Sequence, residues 1–521
     1  MFSPSSTRSI GFSALALLAA LAVGCDDDGS GTNDGFDAAT GGFGGTSGTG
    51  TGGTATGGSA TGGSGGAVAT GGTMGTPDAG ASPDAMGGAG GTTATPPVNM
   101  NVFAIRLNTN GQLDITFGTN GVAELDLGPA SDSAGDFARE IDRDTQNRLV
   151  IFARTKGDGS RIDADRIVAR LTANGTLDTT FGTMGTHRLN IANLSDNALG
   201  GFVHADGKIV ASGYTSQPTG VGTQSANAIV VLRLGVDGAV DNAFGYQGIS
   251  NFNPFMTMNT TTPWGMAEAY GIAPQGEKYV TTGYGRSAAS GAVDMVSFRL
   301  NADGSQDSTW GNQGKVVLDV ATLNDRGRNI RALPGGKTLI TGSAEPTAGQ
   351  VQPMIVMLGA NGQADTTFAS AGYKLYPFGR NNEAFYGAAV APSGKWAAAT
   401  GYSAATDMDD DAVLAFVPLD GVGTEKSMAV PVSETMHDRF WGAAFDANDK
   451  LYAVGYVAVS ATDTAMLIAR YNVDGTRDAT FGNAGVVIQN LAVGAGLGEE
   501  ARAIVLQSDG KIVVVGHGEG R

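Results

Sequence analysis

The chain has 521 residues, of which 16% are charged and 82 are glycine, and its formal net charge is −18. A chain of this length has room for more than one domain, and such an acidic chain is a poor partner for nucleic acid, which is bound by Lys and Arg. Four His residues and one Cys are too few for a zinc centre or a disulfide framework, so we expect no conventional transition-metal site.

The N-terminus has the features of a secretory signal. Arg8 precedes an apolar stretch over 11–23, which is too short to span a bilayer and ends in L-A-V-G-C. This ending resembles the lipobox of bacterial lipoproteins, although Leu21 lies one place further from Cys25 than in the usual pattern. The resemblance implies that 1–24 is a lipoprotein signal peptide and that Cys25 becomes the lipidated N-terminus, with an ordinary signal peptide as the alternative. We therefore expect an extracytoplasmic protein, anchored to a membrane of the bacterial cell envelope by a lipid, and leave open whether that membrane is the inner or the outer one.

The next segment, 25–97, is rich in Gly, Thr, Ser and Ala, with runs such as T-G-G-T-A-T-G-G-S. Such a composition buries too little apolar surface to offset the entropy lost on ordering, so we predict a disordered stalk. About 70 residues of this kind have a root-mean-square span of roughly 45 Å. A stalk of that span would hold a folded head clear of the membrane surface.

Two motifs recur in phase from residue 98 to the end of the chain. The first is R-L-N-A-D-G-S-Q-D-S-T-W-G-N-Q-G, and its seven copies begin at or near Arg106, Arg170, Arg233, Arg299, Met357, Phe416 and Arg470. The copy near Phe416 has lost the Asp and the Phe-Gly. The second motif is a turn followed by a mostly apolar strand, as in D-G-K-I-V-V-V-G from Asp509, and it also has seven copies. A period of about 60 residues indicates a repeat architecture.

Each unit can be divided into four short strands separated by turns. The last unit lacks its fourth strand, whereas an additional copy of that strand, F-A-I-R-L, lies at 103–107. Pairing the two predicts an all-β fold over 98–521, a seven-bladed β-propeller with four-stranded blades closed by the N-terminal strand. In this interpretation the first motif links the outer strand of one blade to the inner strand of the next. Its Asp accepts backbone N–H groups, and its aromatic residue wedges between adjacent blades.

The pairing of R-L-N-x-D-G-x-x-D-x-x-F-G-x-x-G with D-G-K-I-V-V-x-G resembles the delta-60 repeat of bacterial secreted and surface proteins. The likeness covers essentially 100–521, and the sixth unit departs from it most. It implies a propeller-like, extracytoplasmic protein. It brings neither an assigned reaction nor catalytic residues.

One position, twelve residues before the turn Lys or Arg of the second motif, is acidic in six of the seven units. These residues are Asp136, Asp196, Asp325, Glu383, Asp438 and Glu499, and Met266 stands in the seventh place. Such a ring around the axis could attract a cation or a basic partner. The alternative, which we favour, is that each carboxylate caps its own hairpin.

The same loops carry arginine next to aromatic residues. The candidates for a binding face are Arg139, Arg328, Tyr386, Trp441 and Arg502. Arginine beside aromatic rings on a concave face suits a glycan or a peptide. Aromatic residues next to a strand are, however, more often part of the core.

The N-x-D-G-x-x-D segments have some likeness to calcium loops. They are, however, too short to supply the full series of oxygen ligands of such a loop, and the distant Glu is missing. Turn geometry explains them at least as well, so we predict no metal ligands there and keep calcium as the minority interpretation. The acidic residues Asp407, Asp409, Asp410 and Asp411 are interpreted as a solvated loop, with a cation site as the minority interpretation.

Together these features favour a non-catalytic binding or scaffold head, expected to be monomeric, that takes a glycan or protein ligand. The alternative is a propeller enzyme, a hydrolase or lyase acting on polysaccharide or peptide. In that case Glu383, Asp438 and His437 would take acid–base roles.

Overall fold

A computed structural model describes 100–128, 135–156, 161, 163–191, 193–218, 225–255, 265–288, 291–404, 410–433, 436–491 and 498–520. The predicted signal peptide, Cys25 and the stalk lie outside the described residues and stay predictions. The described part is all β apart from one 3₁₀ turn at Pro334–Gly336. No helix in it has the length and hydropathy needed to cross a membrane.

The described strands form five four-stranded antiparallel sheets and one eight-stranded sheet. Sheet A contains β1 (Met100–Leu107), β2 (Val122–Leu125), β27 (Glu500–Leu506) and β28 (Ile512–Glu519). Sheet B contains β3 (Phe137–Arg143), β4 (Leu149–Lys156), β5 (Ala164–Leu171) and β6 (Thr186–Leu189). Sheet C contains β7 (Asp196–Val203), β8 (Ile209–Pro218), β9 (Ser225–Leu234) and β10 (Ile249–Phe252). Sheet D contains β11 (Met266–Gln275), β12 (Lys278–Arg286), β13 (Asp294–Leu300) and β14 (Lys315–Leu318).

The eight-stranded sheet consists of two halves that are joined by a single parallel pair, Val351 with Asn382. Half-sheet E contains β15 (Asp325–Ala332), β16 (Thr338–Thr347), β17 (Gln350–Leu358) and β18 (Tyr373–Leu375). Half-sheet F contains β19 (Asn382–Val390), β20 (Trp396–Ala404), β21 (Asp410–Pro418) and β22 (Lys426–Ala429). Sheet G contains β23 (Asp438–Phe445), β24 (Leu451–Ser460), β25 (Asp463–Tyr471) and β26 (Val486–Gln489).

The N-terminal strand pairs with the C-terminal strand, as the sequence predicts. Phe103 lies opposite Gly516 and Leu107 opposite Ile512, in an antiparallel register that runs the whole length of β1. The order in the sheet is β2-β1-β28-β27. The chain's first strand is therefore the third strand of sheet A, and β2 is the fourth.

The predicted division into blades is wrong by one strand. The first motif does not link two blades but forms the hairpin between the third and fourth strands of one sheet; in sheet D, Met295 on β13 pairs with Leu318 on β14. Gly311 and Gly314 have φ values of +56° and +90°, which let the chain reverse tightly enough for β14 to pair backward. Consequently the acidic position lies where one sheet is linked to the next, rather than in a hairpin inside a blade.

The two motifs recur in phase because they contact each other. Arg299 Nε donates to Asp307 Oδ2 at 2.7 Å, and Lys278 Nζ, from the second motif, donates to the same oxygen at 2.6 Å. The other oxygen accepts from the backbone N–H of Thr309 at 3.0 Å. Burial by itself would raise the pKa of Asp307, but hydrogen bonds from Lys278 and Thr309 hold it well below its usual range. Both oxygens are occupied by protein donors, so ion pairing and turn geometry account for the motif.

The aromatic residue of the motif lies between neighbouring sheets, as predicted. Trp310 is fully buried, and a Cβ on Gly362, in the next motif along the chain, would come within 2.8 Å of its ring. The N–H of Gly311 donates to the carbonyl of Asn361 at 2.8 Å. Only glycine leaves room for this ring, which explains why Gly follows Asn or Asp in the repeat.

Each sheet packs its first strand against the sheet before it. In order from A to G, the seven sheets and half-sheets are contacted by β3, β7, β11, β15, β19, β23 and β27. Apolar residues fill these interfaces; one cluster combines Val102, Val513 and Ala503 of sheet A with Ile141 and Ile151 of sheet B. The core therefore lies between the sheets, as in β-propellers.

Candidate functional site

The first strand of every sheet and half-sheet contains a β-bulge in its middle. In β15 the register shifts between Gly327 and Asn329, so Arg328 has no partner on β16. A bulged residue leaves the ladder and its side chain is re-aimed. The residues at this position are Arg139, Leu199, Tyr270, Arg328, Tyr386, Trp441 and Arg502. All of them line one pocket, which we call the axial pocket.

A glycine in the second strand makes room for the bulge. A Cβ on Gly401 would lie 1.8 Å from the carbonyl oxygen of Ala384, in the strand segment opposite. A Cβ would likewise lie 1.8 or 1.9 Å from a backbone carbonyl oxygen if it were added to Gly213, Gly283, Gly342, Gly455 or Gly516. Real Cβ atoms do not approach a carbonyl so closely, so the Gly that ends the second motif is required by the bulge. Ala153 takes this place in sheet B, which shows that one strand adapts to a methyl group there.

The structure brings together all five residues that the sequence predicts for an aromatic and basic face: Arg139, Arg328, Tyr386, Trp441 and Arg502 all line the axial pocket. Phe385 and Phe440, the neighbours of Tyr386 and Trp441, are fully buried in the core. One residue of each pair therefore packs between sheets, while the bulged residue lines the axial pocket.

Aromatic rings hold the guanidinium groups of the axial pocket in place. Arg328 Cζ lies 4.5 Å from the ring centroid of Tyr270 and 4.9 Å from that of Tyr386. Arg502 Cζ lies 4.8 Å from the ring centroid of Trp441, whose Nε1 donates to Glu500 at 2.9 Å. Cation–π contacts of this kind fix the orientation of a guanidinium group.

Positive charge outweighs negative charge among the lining residues that the structure describes. Four arginines, the three of the bulges and Arg331, line the pocket with one carboxylate, Glu140, and Arg502 also pairs with Glu500 at 3.6 Å. Burial raises the pKa of Glu140, although Arg331 lowers it in part. Burial also raises the pKa of Tyr270, so that side chain is a neutral phenol. The pocket can therefore hold an anionic group against planar rings, which is unusual in so acidic a chain.

The six predicted ring carboxylates are all buried, and those of Asp136, Asp196, Asp325, Glu383 and Asp438 accept from backbone N–H groups. Asp438 Oδ2 accepts from the N–H groups of Val432 and Ser433 at 3.0 and 2.9 Å, and its Oδ1 accepts from Ala412 at 2.9 Å. Phe378 donates its N–H to Glu383 at 2.9 Å. Desolvation raises the pKa of Asp136, Asp196 and Asp438 to about 6 and that of Asp325 to about 7. These hydrogen bonds are those of loop caps, and the use of the ring to bind a ligand stays a prediction.

Two residues of the acid–base set of the enzyme alternative, Asp438 and His437, make other contacts in the described structure. The carboxylate of Asp438 is occupied by backbone donors, and His437 Nδ1 lies instead 2.9 Å from Asp410 Oδ2. Asp410, which also pairs with Arg439 at 2.5 Å, is 4% exposed, so the expectation of a solvated loop is wrong for this residue. Asp407 and Asp409 lie outside the described residues.

Sequence reasoning missed Leu199, Tyr270, Glu140 and Arg331. A signal was available, since the position nine residues before the turn Lys or Arg holds the bulged residue in six of the seven units. Tyr270 is displaced by one position because the turn before Lys278 is one residue shorter than the turn before Arg148. Pro274 pairs with Tyr279, five places on, whereas Arg143 pairs with Leu149, six places on. The residue that corresponds to the acidic position in this unit is thus Ala267, not Met266.

A family model described as "Domain of unknown function (DUF5122) beta-propeller" matches three segments of the chain, 153–181, 204–244 and 447–481. Each segment runs from the second strand of a sheet, or the turn before it, into the hairpin of the first motif. The strand order, the packing of the sheets and this match together support a β-propeller repeat protein. No curated protein sequence matches the chain.

Several solved structures resemble the chain at low similarity. Hydrazine synthase of Kuenenia stuttgartiensis is 11% identical, with a TM-score of 0.39 over 72% of this chain and 90% of that one. A protein of unknown function from Dyadobacter fermentans is 10% identical, with a TM-score of 0.36 over 82% and 100% of the two chains. A gluconolactonase of Xanthomonas campestris is 11% identical, with a TM-score of 0.28 over 56% and 82%. At these scores we draw no conclusion about activity from the likeness.

Proposed function

We propose that the chain is a lipid-anchored surface protein whose head is a closed seven-bladed β-propeller that binds an acidic carbohydrate in its axial pocket. The observation that carries the proposal is the convergence of the bulged arginine and aromatic residues on that pocket.

Counting half-sheets E and F as separate blades gives seven blades. Closure is supported by contacts that tie sheet A to both of its neighbours. Arg106 Nη1 donates to the carbonyl of Ala173 in sheet B at 2.7 Å, and the N–H of Gly482 in sheet G donates to the carbonyl of Asn110 in sheet A at 2.9 Å. A ring of this kind has no open edge between its first and last blades.

The chemistry of the pocket favours a ligand with both a carboxylate and a ring. Guanidinium groups bind carboxylates with charge-assisted and often bidentate hydrogen bonds. Tyr270, Tyr386 and Trp441 supply flat apolar surface of the kind found in ligand pockets. A uronic acid unit of a polysaccharide combines these features, so an acidic glycan fits better than a neutral one.

A binding array tests the proposal. The intact protein would be applied to uronic acid oligosaccharides, neutral oligosaccharides and acidic peptides, together with the variants Arg328→Gln and Arg502→Gln. Arg477→Gln, on the outer hairpin of sheet G, is the matched control. We expect binding to uronic acid oligosaccharides that falls about tenfold or more in the pocket variants, as for loss of a charge-assisted hydrogen bond.

Two outcomes would overturn this assignment. Binding to acidic peptides alone would replace the carbohydrate by a peptide as the ligand. Glycan binding that is equal in the intact protein and in both pocket variants would remove the axial pocket from the function.

The lipid anchor is the second part of the proposal, and the sequence L-A-V-G-C before residue 26 supports it. We expect the mature protein to fractionate with membranes and Cys25→Ser to release it into the soluble fraction. An unmodified N-terminus near Cys25, found by mass spectrometry of the mature protein, would contradict the anchor.

A hydrolase or lyase acting on polysaccharide is the second candidate, favoured by one observation: Glu140, a carboxyl with a raised pKa, lines the pocket beside Arg331. A raised pKa suits a general acid. Release of shorter oligosaccharides by the intact protein but not by Glu140→Gln would establish catalysis. Binding without cleavage would leave the binding head.

A further inference from the structure

Three carboxylates meet where sheet D is linked to half-sheet E. Asp294 begins β13, Asp319 follows β14 and Asp325 begins β15. One oxygen of each lies within 4.8 Å of an oxygen of the other two. Oxygen ligands around a calcium ion lie about 2.3 to 2.6 Å from it, so ligands on opposite sides are about 5 Å apart. The three oxygens are thus close enough to share one ion.

Asp325 has an oxygen without a partner. Its side chain is fully buried, and Oδ2 accepts from the N–H groups of Val320 and Ala321 at 2.6 and 3.0 Å. Among the described residues, nothing donates to Oδ1. A buried polar atom left in this way costs about 1 to 3 kcal/mol unless water or an ion satisfies it. The vacant acceptor belongs to the same carboxylate that faces Asp294 and Asp319.

The equivalent carboxylates of the next two links have no such vacancy. Ser403 Oγ donates to Glu383 Oε1 at 2.7 Å, beside the two backbone donors of that side chain. In Asp438 the oxygen that corresponds to the vacant one accepts from Ala412 at 2.9 Å. Ala344 lies opposite Asp325 on β16 and has no hydroxyl to donate. The protein thus supplies a donor at those two links, whereas among the described residues none reaches Oδ1 of Asp325 or Oδ1 of Asp196, the equivalent residue at the link from sheet B to sheet C.

Within the described part of the chain, none of the three carboxylates forms an ion pair with Lys, Arg or His. Desolvation raises the pKa of Asp325 to about 7, and the nearby charges of Asp319 and Asp294 raise it as well. Desolvation and Asp319 also raise the pKa of Asp294. Like charges this close repel one another unless a proton or a cation intervenes.

The coincidence of three carboxylates occurs at one link only among those described. The strand registers identify the same three positions at every other link. They hold Asn101, Asp126 and Asp136; Asp165, Asn190 and Asp196; Ala228, Asn253 and Ala267; Pro353, Tyr376 and Glu383; Ala412, Val430 and Asp438; and Ala465, Asn490 and Glu499. Asp165 is neutralised by Arg161 and Arg188 at 2.5 and 2.9 Å. The repeat therefore does not by itself require the cluster of Asp294, Asp319 and Asp325.

We propose that Asp294, Asp319 and Asp325 bind a calcium ion that joins sheet D to half-sheet E. Carboxylate oxygens are the ligands that calcium prefers, and its flexible coordination accepts water at the remaining positions. The ion would satisfy the vacant oxygen of Asp325 and remove the repulsion among the three charges. It would also fix the start of β15, three residues before Arg328 of the axial pocket.

Calorimetric titration with calcium chloride tests the site on the intact protein after treatment with a chelator, with magnesium chloride as a second titrant. We expect one calcium site in the range of extracellular modules, with a dissociation constant of about 0.1 to 1 mM. Asp319→Asn should weaken binding at least tenfold. Asp126→Asn is the matched control, because Asp126 is exposed and occupies the same position at the link from sheet A to sheet B.

The thermal midpoint of unfolding gives an independent readout, since an ion that binds only the folded state stabilises it. Calcium should raise the midpoint of the intact protein and of Asp126→Asn but not that of Asp319→Asn. The proposal is overturned if the intact protein takes up no calcium at about 10 mM. Equal affinities for calcium in Asp319→Asn and in the intact protein would overturn it too.

Discussion

At the scale of single residues, the Asp of the first motif joins the two repeated motifs. Asp307 is 4% exposed and Arg299 7%, and Lys278 approaches the same carboxylate from the second strand. Removing one partner of a buried ion pair leaves a charge without compensation and costs more than the pair contributes. The motif is therefore a stability element.

We predict that Asp307→Asn lowers the free energy of unfolding by about 3 kcal/mol, measured by urea denaturation. Asp303→Asn is the control, because Asp303 is exposed and its carboxylate accepts from Ser305 of its own turn. A loss in Asp303→Asn as large as that in Asp307→Asn would contradict this assignment.

Two sets of carboxylates give opposite pH dependences. Asp136, Asp196 and Asp438 have folded pKa values of about 6, raised first by desolvation from 3.8. Between pH 4 and 6 the folded state therefore holds more protons than the unfolded state, and stability falls as pH rises. The motif carboxylates behave oppositely. Burial would raise the pKa of Asp478, but hydrogen bonds from Thr480 and the charge of Arg470 lower it to about 2, so its contribution is lost as pH falls from about 4 toward 2.

We therefore predict that the thermal midpoint, measured with a chelator present, is higher at pH 5 than at pH 7.5 and falls again toward pH 3. Asp438→Asn, which cannot ionise, should show a smaller difference between pH 5 and pH 7.5. A midpoint that rises from pH 5 to pH 7.5 would contradict the account of the buried carboxylates.

At the scale of strands, the bulge and the glycine opposite it form one unit. We predict that Gly401→Ala lowers the free energy of unfolding by about 1 to 3 kcal/mol, the usual cost of overpacking, because its Cβ would meet the carbonyl of Ala384 at 1.8 Å. Gly359→Ala is the control, since a Cβ there would meet its nearest neighbour at 3.4 Å. Urea denaturation of both variants measures the difference, and equal stability of the two would contradict the structural reason for the repeated glycine.

The strand β1 is central in sheet A, between β28 and β2, and all of its residues except Met100 are buried. Deleting Met100–Leu107 should expose the edge of β28 and cause aggregation. Size-exclusion chromatography would show this, with removal of residues up to 99 as the control. A monomeric, cooperatively unfolding deletion variant would contradict the role of β1.

How much the sequence predicts depends on the kind of information. The repeat, the pairing of β1 with β28 and the five pocket residues follow from recurring patterns. The assignment of strands to blades does not follow from these patterns. The apolar pattern of a four-residue strand such as β14 fits two arrangements equally well: pairing with β13, which precedes the first motif, or starting the next sheet. The bulges do not follow from them either: alternation along β15 cannot show that Arg328 leaves the ladder. The cluster of Asp294, Asp319 and Asp325 joins positions from two sheets, which no local pattern reports.

At the scale of the whole molecule, the proposed role of the axial pocket depends on the proposed closure of the propeller. Arg502 in sheet A and Arg139 in sheet B line the same pocket. The strands that carry them are in direct contact, because Arg143 on β3 donates to the carbonyl of Leu506 on β27 at 2.6 Å, across 363 residues of sequence. If the first and last strands did not meet, these arginines would not face one axis. A result against the proposed closure would therefore also count against the proposed binding head.

The most direct measurement is disulfide formation between Ala104→Cys and Val515→Cys, which are register partners in β1 and β28. The Cys25→Ser background removes the chain's single cysteine, and antiparallel partners lie within the Cα distance that a disulfide spans. Non-reducing electrophoresis should show a complete intramolecular crosslink, which Ala104→Cys combined with Ala398→Cys of half-sheet F should not form. Free thiols, or crosslinks only between molecules, in the Ala104→Cys and Val515→Cys protein would contradict the closed propeller.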